Sequence, residues 1–237
     1  MYIFIALFLI FIIEKLASGT SAQLDFFTIF LKDLFFFLKS CILKEKIHFI
    51  MKTKKILVVI DCQNDFIDGS LRNEEAIKAV PNIVKKINEF DGDYILVTLD
   101  THGENYLETN EGKMLPVTHC VKGTKGWQLN PDIKDALIYA DVYKNQNVMY
   151  WHKPTFGSTE MANFLEMDEA FEGNLEIEYV GFCTDICVIS NVLMEKAILY
   201  DRASITVDAS CCAGVTPEKH KAALETMKSC QINVINE

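Results

Sequence analysis

Residues 52–61 read KTKKILVVID, in which the apolar run Ile56 to Ile60, four of its five residues β-branched, closes on a single carboxylate, Asp61. A run that is apolar at successive positions has no solvent face. It therefore marks a strand buried on both sides, the pattern of a parallel sheet covered by helices. Working outward, strand signals return at Tyr94 to Leu99, Val148 to His152, Leu175 to Phe182, Ser204 to Val207 and Ile232 to Ile235. Helical stretches fall between them. Glu74 to Phe90 carries Ala76, Val80, Ile83, Val84 and Ile87 on one side, and shorter helices are read at Asp132 to Ala140, Ser158 to Glu166 and Asp185 to Leu199. A last helix starts at Thr216-Pro217, an N-cap followed by proline at the first helical position. This alternation predicts an α/β three-layer sandwich with a mostly parallel sheet of about six strands flanked by helices. The polar excursion from Thr101 to about Pro131 has few periodic positions and reads as a functional loop.

Composition narrows the function classes. The chain has 237 residues, half of them hydrophobic, with a net charge of -10. An acid-rich chain without basic runs interleaved with aromatics argues against nucleic-acid binding. The eight cysteines follow neither a disulfide framework nor paired CxxC motifs, so reduced thiols in the cytoplasm are expected. Residues 1–50 stand apart, holding 10 of the 16 phenylalanines. The opening MYIFIALFLIFII is short for a bilayer span of roughly 20 residues and lacks the basic start of a signal peptide. Leu24 to Leu43 has the makings of an amphipathic helix on a membrane. A membrane anchor, an exported leader and translated upstream sequence compete here. The third is preferred because Met51 followed by KTKKILVVID looks like a natural start, giving an extension 1–50 and one catalytic domain 51–237. Membrane contact is expected only if residues 1–50 are retained.

Ligands of open α/β sheets bind at the carboxyl ends of the strands. The residues found there are Asp61, then Asp100 with His102, then His152-Lys153, then Phe182-Cys183-Thr184-Asp185-Ile186-Cys187. Each is weak alone: a strand-end Asp usually caps, a Lys is usually solvated, a Cys usually fills core space. Together they describe acyl transfer. A thiol in a first helical turn, near an ammonium, is favoured as thiolate, and a carboxylate is available to take its proton. Asp100, His102 and His119, with Glu108 and Glu111 between them, offer oxygen and imidazole ligands suited to zinc, manganese or iron.

Several segments carry a resemblance. VVIDCQNDFIDGSL (58–71), LDTHGENY (99–106), LPVTHCVKGTKGW (115–127), WHKPTFGS (151–158) and VGFCTDICVISN (180–191) are similar, in order, to the signatures of isochorismatase-like cysteine hydrolases, in the form found in nicotinamidases. The resemblance covers the chain from Met51 onward. It implies a catalytic triad of Asp61, Lys153 and Cys187, with Cys187 as nucleophile, Asp61 as acid and base, and Lys153 as electrostatic partner. It also implies a cis peptide at Phe182–Cys183 and an oxyanion hole from the backbone N–H groups of Cys183 and Cys187. A divalent metal ion is implied on Asp100, His102 and His119, with Glu111 as the remaining ligand and Glu108 as its alternative. Phe66 corresponds to an aromatic lining the substrate pocket, and Phe156 and Trp127 are candidates for the same wall or for packing. The chain departs from the pattern where Pro116-Val117-Thr118 replaces the aromatic often found before the second metal histidine.

The activity implied is hydrolysis of a small-molecule amide, nicotinamide to nicotinate and ammonia, within NAD salvage. Self-association is expected by analogy with relatives. A metal-free carbamoyl or ureido amidase is the alternative, with a catalytically silent binding domain as the alternative of a different class. A vinyl-ether hydrolase of this superfamily is disfavoured because it lacks the nucleophilic cysteine.

Overall fold

The computed structural model describes residues 53–237. Strands β1 (Lys54–Ile60), β2 (Tyr94–Asp100), β3 (Asn147–Lys153), β4 (Leu175–Phe182), β5 (Ala203–Ala213) and β6 (Asn233–Ile235) form one sheet in the order β3-β2-β1-β4-β5-β6. Every neighbouring pair is parallel. Helices α1 (Asn64–Ile67), α2 (Glu74–Glu89), α3 (Asn110–Met114), α4 (Pro131–Lys144), α5 (Thr159–Met167), α6 (Ile189–Leu199) and α7 (Pro217–Ser229) fill the connections.

Residues Ile56 to Ile60 are wholly buried, as their lack of a polar face requires. Leu57 and Val59 pack in one cluster with Ile83 of α2 and Leu137 of α4. Ile56, Val58 and Ile60 pack in another, with Met161 of α5, Val192 of α6 and Leu224 of α7. Alternation along one strand thus builds two cores and three layers. Asn73, Asn130, Ser158 and Thr216 cap α2, α4, α5 and α7 by accepting from first-turn N–H groups. Such caps are each worth about 1 kcal/mol. Gly181 has φ of +121°, and a Cβ there would meet the Ile60 carbonyl oxygen at 2.0 Å, so only glycine lets β4 lie against β1.

The chain departs from the sequence reading in local detail. Strand β5 runs to Ala213 rather than stopping at Val207, because Ala209-Ser210-Cys211-Cys212 are small residues without a strand signature. The loop after β2 is not wholly irregular: it holds a 3₁₀ turn at Tyr106–Glu108 and helix α3. The extension 1–50, with its anchor, leader and upstream readings and the start at Met51, lies outside the described residues. Among the described residues no helix is long and apolar enough to cross a membrane.

One buried acid carries a consequence for stability. Glu195 of α6 is fully buried, its Oε2 accepts from the Tyr179 hydroxyl, and its Oε1 has no partner among the described residues. Burial pushes its carboxyl up to about 8. A group raised on folding stabilises the native state below its unfolded pKa and loses that contribution as pH rises toward the folded value. The wild-type chain is therefore expected to lose stability relative to Glu195→Gln between about pH 4.5 and 8. Urea midpoints across that range test this; parallel curves for the two proteins would refute it.

Candidate active site

The sheet order reverses direction between β1 and β4, since β2 and β3 extend to one side and β5 and β6 to the other. At such a switch point the connections leave in opposite directions and open a crevice beyond the strand ends. Asp61 follows β1 and the Cys183–Cys187 segment follows β4, so both border this crevice. Asp61 is held at φ of +46°, a left-handed conformation that aspartate tolerates better than most residues.

Three residues distant in sequence meet there. Lys153 Nζ lies 2.6 Å from Asp61 Oδ2, an ion pair not aligned as a directed hydrogen bond, and 3.5 Å from Cys187 Sγ. It also donates to the Thr155 carbonyl at 3.0 Å and stands 3.6 Å from Asp100 Oδ1. Burial works against the lysine charge, but Asp61, Cys187 and Asp100 outweigh it and hold the ammonium above its ordinary pKa. Burial pushes Asp61 up, with Asp100 adding to the effect while Lys153 opposes it. Both shifts favour the protonated forms, for different reasons: burial dominates at Asp61, whereas the surrounding anions hold the proton on Lys153. Burial, reinforced by Asp61, also keeps the Cys187 thiol well above its ordinary value. The site therefore rests with Lys153 as an ammonium and Cys187 as a neutral thiol.

Cys187 lies in a single π-helical turn, Thr184–Val188, in which the Val188 N–H donates to the Cys183 carbonyl at 3.0 Å, ahead of α6. The sequence reading of one α-helix from Asp185 misses this wider turn, a feature frequent at functional sites. The Phe182–Cys183 peptide is cis, and Cys183 and Cys187 both face the crevice.

A second cluster adjoins the first. Asp100, His102 and His119 are buried and offer three ligand atoms within 4.8 Å of one another. His102 Nε2 is 2.9 Å and His119 Nε2 is 3.4 Å from Asp100 Oδ2. His119 Nδ1 lies 2.8 Å from the Val117 carbonyl; as the donor there, it leaves Nε2 to present a lone pair, the outer support a metal-binding imidazole requires. Burial opposes ionisation of Asp100, yet its bonds to His102 and His119 and the nearby Lys153 hold it well below the usual carboxylate range. The donors fit a divalent ion such as zinc, manganese or iron. Glu111 approaches the set at 3.8 Å from His102 Nε2 but stands outside the tight three. Glu108 is exposed and does not line the cavity.

The cavity between these clusters has a volume of about 1000 Å³. Phe66 is buried in its wall with its ring edge-on to His119, centroids 5.7 Å apart, and Phe156 lines the mouth half-exposed. Trp127 is not on this wall. It stacks on His152 and donates to Thr101 Oγ1 at 3.0 Å, the packing alternative.

Several supporting residues escape a sequence reading. Thr98 donates its hydroxyl to Asp61 Oδ1 at 2.7 Å, though within β2 it reads as an ordinary strand threonine. Gln63 clamps the backbone of Asp100, donating to its carbonyl and accepting from its N–H, both at 2.8 Å. Asp65 accepts from Cys120 N–H at 2.8 Å and so fixes the chain beside His119. Gly126 completes that contact, because a Cβ there would come within 2.1 Å of the Asp65 carboxylate. The aspartate and glutamine of the DCQND segment were visible as residues, but nothing in their spacing told which backbone they would hold.

Comparison with known proteins extends this geometry. The family model described as the isochorismatase domain matches residues 55–237. No curated relative matches the sequence. Among solved structures, the nicotinamidase/pyrazinamidase of Bacillus subtilis is 26% identical, with a TM-score of 0.66, covering 78% of this chain and 100% of its own. The pyrazinamidase/nicotinamidase of Streptococcus mutans is 25% identical, with a TM-score of 0.63, covering 76% and 99%. The pyrazinamidase of Pyrococcus horikoshii, solved in complex with zinc, is 24% identical, with a TM-score of 0.58, covering 78% and 99%.

Proposed function

The chain belongs to the isochorismatase family, and we propose that it hydrolyses a small aromatic carboxamide, nicotinamide, to the acid and ammonia through a cysteine thioester. The observation that carries this reading is the meeting of Lys153 with both Asp61 and Cys187 beside a histidine-rich donor set. The names of the Bacillus subtilis and Streptococcus mutans relatives support the substrate.

In this reading Asp61 accepts the Cys187 proton as sulfur attacks the amide carbon, so the negative charge moves to sulfur only when substrate is in place. Lys153 stays protonated throughout and stabilises each anionic stage at the sulfur and the carboxylate. The backbone N–H groups of Cys183 and Cys187 receive the developing oxyanion. Asp61 then returns the proton to the leaving nitrogen, releasing ammonia. Water attacks the thioester with Asp61 again as base, giving the acid and the free thiol. Asp100, His102 and His119, with Glu111 alongside, would hold a divalent ion, which supplies Lewis-acid polarity for orienting a ring nitrogen. Phe66 confines the ring beside them. A place in NAD salvage and a cytoplasmic location accord with this reading, and the described cysteines are all free thiols.

Ammonia release from nicotinamide, pyrazinamide and ureido acids tests the proposal. Nicotinamide is expected to be turned over, and metal removal by chelation to lower its kcat/KM at least about tenfold, restored by a divalent ion. Turnover of ureido acids alone, unaffected by verified metal loss, would favour the metal-free amidase.

A further inference from the structure

The crevice is larger than a single-ring amide requires. Pockets for drug-sized ligands run from about 300 to 1000 Å³, and this one reaches about 1000 Å³. Phe66, Asp100, His119 and Cys187 occupy its chemical end. The remaining wall has its own character. Asp100 and Glu111 supply its acids, and both belong to the proposed metal end; the other charged groups lining it beside the described chemistry are Arg72 and Lys219. Two cations on one wall stand out in a chain with 33 acidic and 23 basic residues, and the acid that pairs with Arg72, Glu74, is not part of the lining.

Their placement is fixed by the fold. Asn73 donates its side-chain amide to the Gly214 carbonyl at 2.7 Å, tying the segment after α1 to the one before α7. Arg72 adjoins this tie on the first segment, Lys219 follows it in the first turn of α7, and both line one cavity. Arg72 is engaged by Glu74 through Nε at 3.0 Å, so its terminal nitrogens remain to address a ligand. Lys219 is exposed where it lines the cavity. Met114, Leu115 and Phe156 line the same cavity with exposed apolar side chains, Met114 at 87%. Apolar surface together with a guanidinium and an ammonium suits an aliphatic spacer that ends in a carboxylate.

We propose that Arg72 and Lys219 form an anion subsite at the mouth of the crevice, and that the enzyme's preferred substrates are amides carrying a carboxylate on a short tail. This rests on the amidase reading and adds the substrate class. The tail carboxylate docks on the two cations while the amide lies against Cys187. A neutral ring amide fills the inner part alone.

The test uses the full chain and three substrates: nicotinamide, a pyridine-3-carboxamide bearing a propionate on the ring, and the methyl ester of that propionate. The acid is expected to show a kcat/KM about tenfold or more above its ester, the difference shrinking with added salt. In R72Q/K219Q the acid-to-ester ratio is expected to fall to within about twofold of unity. A ratio near unity in the wild-type enzyme, or one that the double substitution leaves unchanged, overturns the subsite. Turnover of nicotinamide with neither tailed amide accepted also removes the subsite and leaves the amidase reading standing. Inertness toward all three removes both.

Discussion

Cys187→Ala is expected to reduce amide hydrolysis by about 10⁴-fold or more, because residues acting as one nucleophilic unit fail together when one is lost. The sulfur is the atom that bonds to substrate, and alanine offers no replacement. Asp61 and Lys153 would remain paired at the same site, so electrostatic binding of the amide survives while the covalent route does not. The fold is expected to tolerate the change. Cys187 is 5% exposed, and removing one sulfur costs on the order of 1 kcal/mol in a well-packed site. Ammonia release and urea unfolding, measured on the same preparation, separate the two effects. Turnover within about tenfold of the unsubstituted enzyme would exclude Cys187 as nucleophile.

How far the sequence led is clearest at particular residues. Asp61, Lys153 and Cys187 were legible because each ends or follows an apolar strand signal, and parallel topology collects strand ends on one rim. Asp100 and His102 were legible for the same reason. Thr98 was not: it sits within a strand where a β-branched residue is the ordinary choice, and its hydroxyl acquires meaning only from Asp61. Helix α1 is four residues long, too short for periodicity to register. The π-turn differs from an α-turn by one hydrogen-bond step, which leaves side-chain polarity unchanged. Glu111 was preferred to Glu108 on the resemblance alone, since both acids follow His102 within one polar segment; the folding of the loop into α3 leaves Glu111 at 3.8 Å from His102 Nε2. Arg72 and Lys219 carried no signal at all, because 147 positions separate them and each looks like a solvated cation.

The second large effect is expected at Lys153, and it distinguishes an ion pair that organises the site from one that merely occupies it. Lys153→Met leaves Asp61 and Asp100 facing each other with no ammonium between them, both almost wholly buried. Breaking a buried pair by removing one member costs about 3–5 kcal/mol, because the surviving charge keeps its desolvation penalty and loses its partner. Activity is expected to fall below detection, since the thiolate stage loses its counter-charge. Asp61→Asn is expected to be equally inactive but less destabilised, because Lys153 retains Asp100 at 3.6 Å and the Thr155 carbonyl at 3.0 Å. The combined variant, Asp61→Asn with Lys153→Met, should recover part of the stability lost in Lys153→Met alone, as no buried Asp61 carboxylate remains unmatched. Urea midpoints of the three variants form the cycle. Strict additivity of the two single losses would mean that Lys153 and Asp61 do not share their charges in the folded protein, and the proton transfer assigned to Asp61 would lose its physical basis.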